Sequence, residues 1–527
     1  MARQWGPRKG ASLGQRGAVQ ELPAAEMPRR AHDEHAAERP AGPTGRARRI
    51  ITAGLVLAMA VVALETTVVV TALPTIVGEL DRLDLYSWVF SAYLLTSTVT
   101  VPLYGKLADI YGRRRVFLFG ITVFLLGSVL CGLAQDMTGL IVFRAIQGLG
   151  AGAVLPTIFT VVADLYPLQE RAKVQGVFST LWGVTSLVGP GLGAWLTLTL
   201  SWRAVFFVGV PFGLAAAVFF MWFFKERVEP RKVSLDIAGS LLLMGGLTTL
   251  LMALTQGSEG LGWASPVVLA LLATSVLMLV GFVVAERRAT DPVLPLALFK
   301  LRVMSVSSAA NFLSGAVLFG VTSYVPLFVQ GARGEGAAGA GVALTPMLVA
   351  WSMSGFAGPR LLLRFGFRAT AIGSTLMIAL GAAGLLLVGI DTPALPLYIS
   401  MTLLGLGFGP STSAFLILLQ ERVPWSQRGV ATSSTQLFRS LGGTIGVALL
   451  GSILHVGLTS RVIAAGLDPS TIGTLLTPSG AAGGVTDMAL RVALGGALTP
   501  VFWLNFILAA STLVMVLAFA RDERRLR

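Results

Sequence analysis

Long apolar runs, separated by short clusters of charged, Gly or Pro residues, follow one another from about residue 50 to residue 520. An α-helix needs about 20 such residues to cross a bilayer. Read this way, the pattern predicts fourteen membrane helices, at 50–73, 86–106, 116–134, 138–163, 174–198, 203–224, 235–255, 265–285, 303–329, 338–358, 369–390, 396–419, 429–455 and 500–520. Lipid admits only helices or closed barrels, because every backbone polar group must find an internal partner. These runs are too long for barrel strands, so the expected fold class is an all-α polytopic membrane protein.

Composition agrees. The 527 residues are 54% hydrophobic and 13% charged, against roughly 25% charged in soluble proteins, and mean hydropathy is +0.77. This excludes a soluble enzyme, a disordered chain and a coiled coil. Forty basic against 26 acidic residues give a net charge of +14, a balance that also occurs in nucleic-acid binders. The placement of the basic residues argues instead for the positive-inside rule. With the N-terminus in the cytoplasm, only Arg82, Arg203, Arg333, Arg461 and Arg491 fall in outer segments, and Arg144 and Arg439 fall inside spans. Both termini are therefore expected in the cytoplasm, with the spans in the cell membrane and no nucleic-acid partner; the high Ala, Gly and Arg content points to a bacterial source. Residues 1–49 read as a disordered cytoplasmic tail without a signal peptide; Met1 and Met27 are both candidate starts. Cys131 is the one cysteine, so no internal disulfide forms, and no Cys/His metal spacing or nucleotide-binding loop occurs. No cofactor is expected, and the chain is not read as an enzyme.

The chain carries a weak internal repeat. Gly105–Arg115 follows helix 2, and Pro359–Arg368 follows helix 10. Aligning Gly112 with Gly366 pairs Leu107 with Leu361, Tyr111 with Phe365 and Arg114 with Arg368. Paired halves are a common plan of secondary transporters. The expected organisation is a six-helix bundle at 50–225, two inserted helices and linkers at 226–300, and a second six-helix bundle at 301–520 with a long outer loop at 456–499. A tail at 521–527 ends the chain. A short amphipathic piece is expected in the outer loop near Asp487–Leu498.

Several stretches resemble a known family. Gly105-Lys-Leu-Ala-Asp109-Ile-Tyr-Gly112-Arg113 is similar to the loop signature of the major facilitator superfamily, with Ile110 where a basic residue is usual. Arg144-Ala-Ile-Gln147-Gly148 resembles its Arg-x-x-Gln-Gly motif. Gly189-Pro190-Gly191-Leu-Gly193-Ala194 resembles its antiporter motif, with Ala194 replacing a Gly. Leu64–Pro74 resembles the helix 1 signature of the 14-helix drug:proton antiporters of the EmrB/QacA type, with Glu65 where Asp is more usual. Trp202-Arg203, Pro211, Gly213, Arg439 and Gly442-Gly443 also resemble this branch. The resemblance covers about residues 50–520. It implies two bundles that rock about a central cavity, a small-molecule substrate, protons as co-substrate, and gating by Gly105, Asp109, Gly112 and Arg113. Leu363 replaces the Asp in the second copy, which leaves gating to the first.

Glu65 is the one acidic residue that the predicted spans place at hydrocarbon depth. Burial of a carboxylate there costs a few kcal/mol or more and favours the neutral form, which suits a proton carrier. Glu65 lies roughly 12 Å and Arg144 roughly 9 Å below the outer ends of their helices at 1.5 Å per residue. The implied fold, in which these helices face each other, puts the two in one layer; with Glu65, Arg144 and Gln147 are the proton-coupling candidates, and an interhelical hydrogen-bond staple is the alternative for those two. Arg439 lies about 15 Å into helix 13, as an anion contact or a structural lock. Gly189, Pro190 and Gly193 allow close helix approach and a kink, read through the family as a seal. Glu65, Tyr93, Trp182, Asn311, Phe312, Trp351, Phe408, Gln436 and Asn505 are the candidate substrate contacts, because aromatic faces attract organic cations. The function expected is proton-coupled export of lipophilic, cationic drugs or metabolites by a monomer in the lipid bilayer. The alternatives are export of a specific neutral or anionic metabolite, and a facilitator or importer of the same fold.

Overall fold

The computed structural model describes residues 45–80, 86–226, 236–259, 262–289, 292–467 and 485–525. Each apolar run forms a helix, and no strand occurs among the described residues. The helices are α1 (Gly45–Leu80), α2 (Tyr86–Tyr111), α3 (Arg113–Gly132), α4 (Met137–Leu165), α5 (Leu168–Thr199), α6 (Ala204–Phe223, interrupted after Phe207), α7 (Ile237–Glu259), α8 (Pro266–Arg288) and α9 (Arg302–Leu327). The segment Gly336–Leu385 is broken at Gly366 into α10 (336–365) and α11 (367–385). Then come α12 (Ala394–Arg422), α13 (Arg428–Ala464) and α14 (Val485–Arg525). Twelve of these are long and apolar enough to cross a membrane. The other two, α2 and α5, are as long but more polar: α2 alone carries Ser91, Thr96, Ser97, Thr98 and Thr100. The expected all-α polytopic architecture is what the chain adopts.

The two repeat glycines have matching geometry. Gly112 (φ 92, ψ 149) separates α2 from α3, and Gly366 (φ 78, ψ 168) separates α10 from α11. Both lie in backbone regions that L side chains rarely adopt, so a helix pair turns at the same point in each half.

Packing sorts the helices into groups. Ile51, Phe117, Phe124 and Phe220 anchor one core among α1, α3, α4 and α6, and Val68, Val205 and Phe206 extend it toward the other end. Val317, Phe328, Met401, Phe408 and Leu494 belong to a core among α9, α10, α11, α12, α13 and α14. A third cluster joins Val99 of α2, Leu247 of α7, Phe282 of α8 and Leu441 of α13. The pair α7 and α8 thus lies along the line where α2 meets α13. The most hydrophobic stretch of α8 is 17% buried, whereas those of α4 and α12 are 72% buried. This places α8 on the periphery, where lipid replaces protein, and α4 and α12 at the centre.

Three boundaries differ from expectation. α1 begins at Gly45, within the stretch read as tail, because Arg48 pairs with Glu170 at 2.8 Å and stacks on Tyr166 at 4.7 Å. The described residues of the expected outer loop 456–499 are largely helical: α13 continues to Ala464 and α14 starts at Val485. The early turns of α14 bury Leu490, Ala493, Leu494, Ala497 and Leu498, a helical spacing that pulls this segment into the core. At the C-terminus, α14 runs to Arg525 through most of the expected tail. The tail before residue 45 and the segment 468–484 lie outside the described residues.

Candidate functional site

Two sites stand out, a buried ion pair within the first bundle and a polar latch between the bundles. At the first, Glu65 of α1 is 4% exposed. Its Oε1 accepts a 2.8 Å hydrogen bond from Arg144 Nη1 of α4. That nitrogen also donates to Gln147 Oε1 at 2.7 Å, and Arg144 Nε donates to the Val89 carbonyl of α2 at 3.1 Å. The guanidinium lies 4.4 Å from the centre of the Tyr93 ring. Gln147 Nε2 donates to Ser128 Oγ at 3.0 Å, and Ser128 donates to the Phe206 carbonyl at 3.0 Å. One network therefore ties α1, α2, α3, α4 and the start of α6. Taking two charges out of water costs several kcal/mol per ion, and their attraction offsets this only with good geometry and further hydrogen bonds. The Val89 carbonyl, Gln147 and the Tyr93 face supply them. Ser128 was not expected from sequence; the signal was there, as a lone hydroxyl in the run Phe124-Leu-Leu-Gly-Ser128-Val-Leu.

The second site lies at the end of the molecule that carries the Gly105–Arg115 turn, here called the basic end. Asp109 receives Arg113 Nη2 at 3.0 Å. It also accepts from the backbone N–H groups of Gly429 at 3.1 Å and Val430 at 3.0 Å. Those are first-turn donors of α13, which have no partner within their own helix and carry the positive end of its dipole. A carboxylate from one bundle thus caps a helix of the other. The fit depends on glycine: a Cβ on Gly429 would lie 2.6 Å from the Gly105 carbonyl and 2.7 Å from Asp109 Oδ1.

More groups reinforce the latch. Arg113 stacks over the Trp425 ring at 4.3 Å, donates to the Trp425 carbonyl at 3.3 Å, and pairs with Asp164 at 3.2 Å and Glu226 at 3.8 Å. Burial pushes the Glu226 carboxyl up, against the pull of Arg113. Asp164 also faces Arg428 at 3.7 Å, and Arg171 of α5 pairs with Glu421 of α12 at 3.0 Å. None of Asp164, Arg171, Glu226, Glu421, Trp425 and Arg428 was singled out from sequence. Leu363, which stands where the second copy lacks its Asp, is 44% exposed.

The remaining sequence candidates are dispersed. Gly189 of α5 sits where a Cβ would strike Thr67 of α1, and Gly193 is buried; Pro190 falls in the same helix. Trp182 Nε1 points at the Met59 sulfur, 3.3 Å away. Asn311 is bonded back to the Ser307 carbonyl at 2.8 Å, and Phe312 packs on the cluster of Val99, Leu247, Phe282 and Leu441. Trp351 and Phe408 form a tilted ring pair at 5.8 Å, with Phe408 in the core. Asn505 is fully buried, its amide on the Val501 carbonyl at 3.2 Å. Gln436 and Arg439 are partly accessible on α13. Among the described residues, no three His, Cys, Asp or Glu side chains gather as a metal site.

Comparison with known proteins agrees with this architecture. The Major Facilitator Superfamily profile matches residues 55–447. The Multidrug transporter protein MdtP of Bacillus subtilis (strain 168) is 38% identical over 408 residues, 77% of this chain and 75% of that protein. Multidrug resistance protein 3 of the same organism is 35% identical over 405 residues, covering 77% and 79%. Among solved structures, the proton:xylose symporter XylE bound to 6-bromo-6-deoxy-D-glucose superposes with a TM-score of 0.61 at 15% identity, covering 90% of this chain and 96% of that one. This last likeness concerns the fold. The chain is a multi-span membrane transporter with multidrug-transporter homologues, not an enzyme, and it belongs to the major facilitator superfamily.

Proposed function

We propose that the protein exports lipophilic compounds in exchange for protons, as a monomer, by alternating access between the bundle α1–α6 and the bundle α9–α14. The observation that carries the reading is the Glu65–Arg144 pair, sealed inside the membrane at 2.8 Å. A proton delivered to Glu65 removes one partner's charge. Arg144 keeps Val89, Gln147 and the Tyr93 and Phe206 rings, and the tie between α1 and α4 loosens. Loss of the proton restores the pair. The ion pair therefore exists in two states that differ by one proton, as a coupled transporter requires.

The latch supplies the conformational half of the cycle. We place the basic end in the cytoplasm, on the asymmetry of Lys and Arg. The bundles joined there by Asp109, Arg113 and Arg171 then represent the state closed toward the cytoplasm. Gly189, packed on Thr67 of α1, together with Pro190 and Gly193 of the same helix, forms the proposed gating stretch of α5. Tyr93, Trp182, Asn311, Phe312, Trp351, Phe408, Gln436 and Asn505 are the proposed cargo contacts. Export, rather than import, rests on the antiporter-like stretch of α5 and on the relatives named for multidrug transport.

The test uses proteoliposomes with an acidic interior and a lipophilic xanthene dye outside. Wild type concentrates the dye as protons leave. E65Q, which keeps size and hydrogen bonding but cannot ionise, is expected to lose at least tenfold of the gradient-driven uptake while retaining dye exchange without a gradient. Undiminished gradient-driven uptake by E65Q refutes the coupling role.

A further inference from the structure

Buried arginines in this protein are paired. Arg113, Arg144, Arg171 and Arg428 are each at most 2% exposed, and each faces a carboxylate: Asp109, Asp164 and Glu226 for Arg113, Glu65 for Arg144, Glu421 for Arg171, and Asp164 for Arg428. Arg439, half-buried in its span, has no such partner among the described residues. It lies ten residues into α13 from Gly429, roughly 15 Å along the axis at 1.5 Å per residue, farther than its side chain reaches to the helix end. Among the described residues its guanidinium forms no ion pair or hydrogen bond.

Its place on α13 is defined by the packing of α9. A Cβ on Gly315 would meet the Arg439 backbone, and one turn further Gly442, Gly443 and Gly446 receive Phe312, Phe319 and Ala316. Arg439 is thus at the α9 side of its helix, within the second bundle. It is partly accessible, as are Gln436 one turn before it and Ser440 beside it. Glu65 and Arg144 cancel one another, so Arg439 leaves this part of the membrane interior with an uncompensated positive charge. A cation at hydrocarbon depth is costly and is normally matched by a counter-charge or water.

We propose that Arg439, aided by Gln436 and Ser440, is the anion subsite for the transported molecule, whose lipophilic body bears a carboxylate or a similar oxyanion. A guanidinium presents two parallel N–H donors that fit a carboxylate, and Gln436 and Ser440 add neutral donors nearby. This deepens the proposed exporter and rests on it. Glu65 then handles the proton alone, because a cationic cargo seeking that carboxylate has to displace Arg144.

The test compares two matched xanthene dyes, one with a free carboxylate and one with that group esterified. Uptake is measured in phosphatidylcholine vesicles with an acidic interior, where no anionic headgroup competes. Wild type is expected to favour the free acid. R439Q is expected to lose at least tenfold of free-acid uptake and less than twofold of ester uptake. R439K, which keeps the charge without the planar fork, is expected to fall between. The ester serves as the folding control within each preparation. Equal loss of both dyes in R439Q marks a structural lock and overturns the proposal, as does a wild-type preference for the ester. If phosphatidylglycerol added to the vesicles suppresses free-acid uptake by wild type, the occupant is a lipid headgroup, and the proposal also falls. Failure of the exporter reading is seen separately, as E65Q retaining gradient-driven uptake of both dyes.

Discussion

R144Q is expected to be far less stable than E65Q, and E65Q/R144Q to recover the part of the loss that comes from the unpaired Glu65 carboxylate. In R144Q the Glu65 carboxylate loses its one cationic partner, the 2.8 Å donor of α4, in a site that is 4% exposed. Removing one member of a buried pair costs about 3–5 kcal/mol, whereas removing both is often close to neutral. E65Q is milder than R144Q, because Arg144 keeps the Val89 carbonyl, Gln147 Oε1 and the Tyr93 face. Gln at 144 also ends the Val89 and Tyr93 contacts, so the loss extends to the packing of α4 on α2. The measurement is thermal unfolding in detergent, read by loss of the monodisperse peak after heating. A double variant less stable than R144Q would show that the two residues contribute independently.

D109A is expected to release the basic end of the molecule. Asp109 makes three charge-assisted contacts, two to α13 and one to Arg113. Hydrogen bonds to charged groups contribute about 1.5–3 kcal/mol each, and 1.4 kcal/mol is about a tenfold change in an equilibrium. Arg113 keeps Asp164 and Glu226, so the first bundle holds together and the loss falls on the junction with the second. Spin labels at Tyr111 and Leu363, each 44% exposed and one on each bundle, report the separation in a C131S background. The long-distance population is expected to rise at least tenfold in D109A. G429A is expected to move the distribution the same way, since its methyl collides with Gly105 and Asp109. Distance distributions identical to wild type would remove the latch role from Asp109.

The helices were legible because lipid imposes one rule on every span: about 20 apolar residues with no unpaired backbone. Ends were less legible where protein continues beyond the apolar run. Asp487–Leu498 reads as a short amphipathic piece of an outer loop, and Leu490, Leu494 and Leu498 supply the helical spacing that draws it into α14. Glu65 and Arg144 met as depth arithmetic implied, since rise per residue fixes depth once helix ends are known. Asp109 was visible as part of a loop signature, but its reach to Gly429 and Val430 was not. Those acceptor contacts use backbone N–H groups more than 300 residues away, and no residue type marks them. Asp164, Glu226 and Glu421 were hidden for a related reason: acids at helix ends are usually solvated, and the facing bundle is what buries Asp164 against Arg113 and Arg428.

The central claim is that Glu65 carries the coupling proton. The most direct test is proton release in weakly buffered detergent solution, followed with a pH indicator as a transported xanthene dye is titrated in. Wild type is expected to release protons saturably, in step with dye binding, and E65Q to bind the dye without releasing any. Equal release from both proteins would contradict the account.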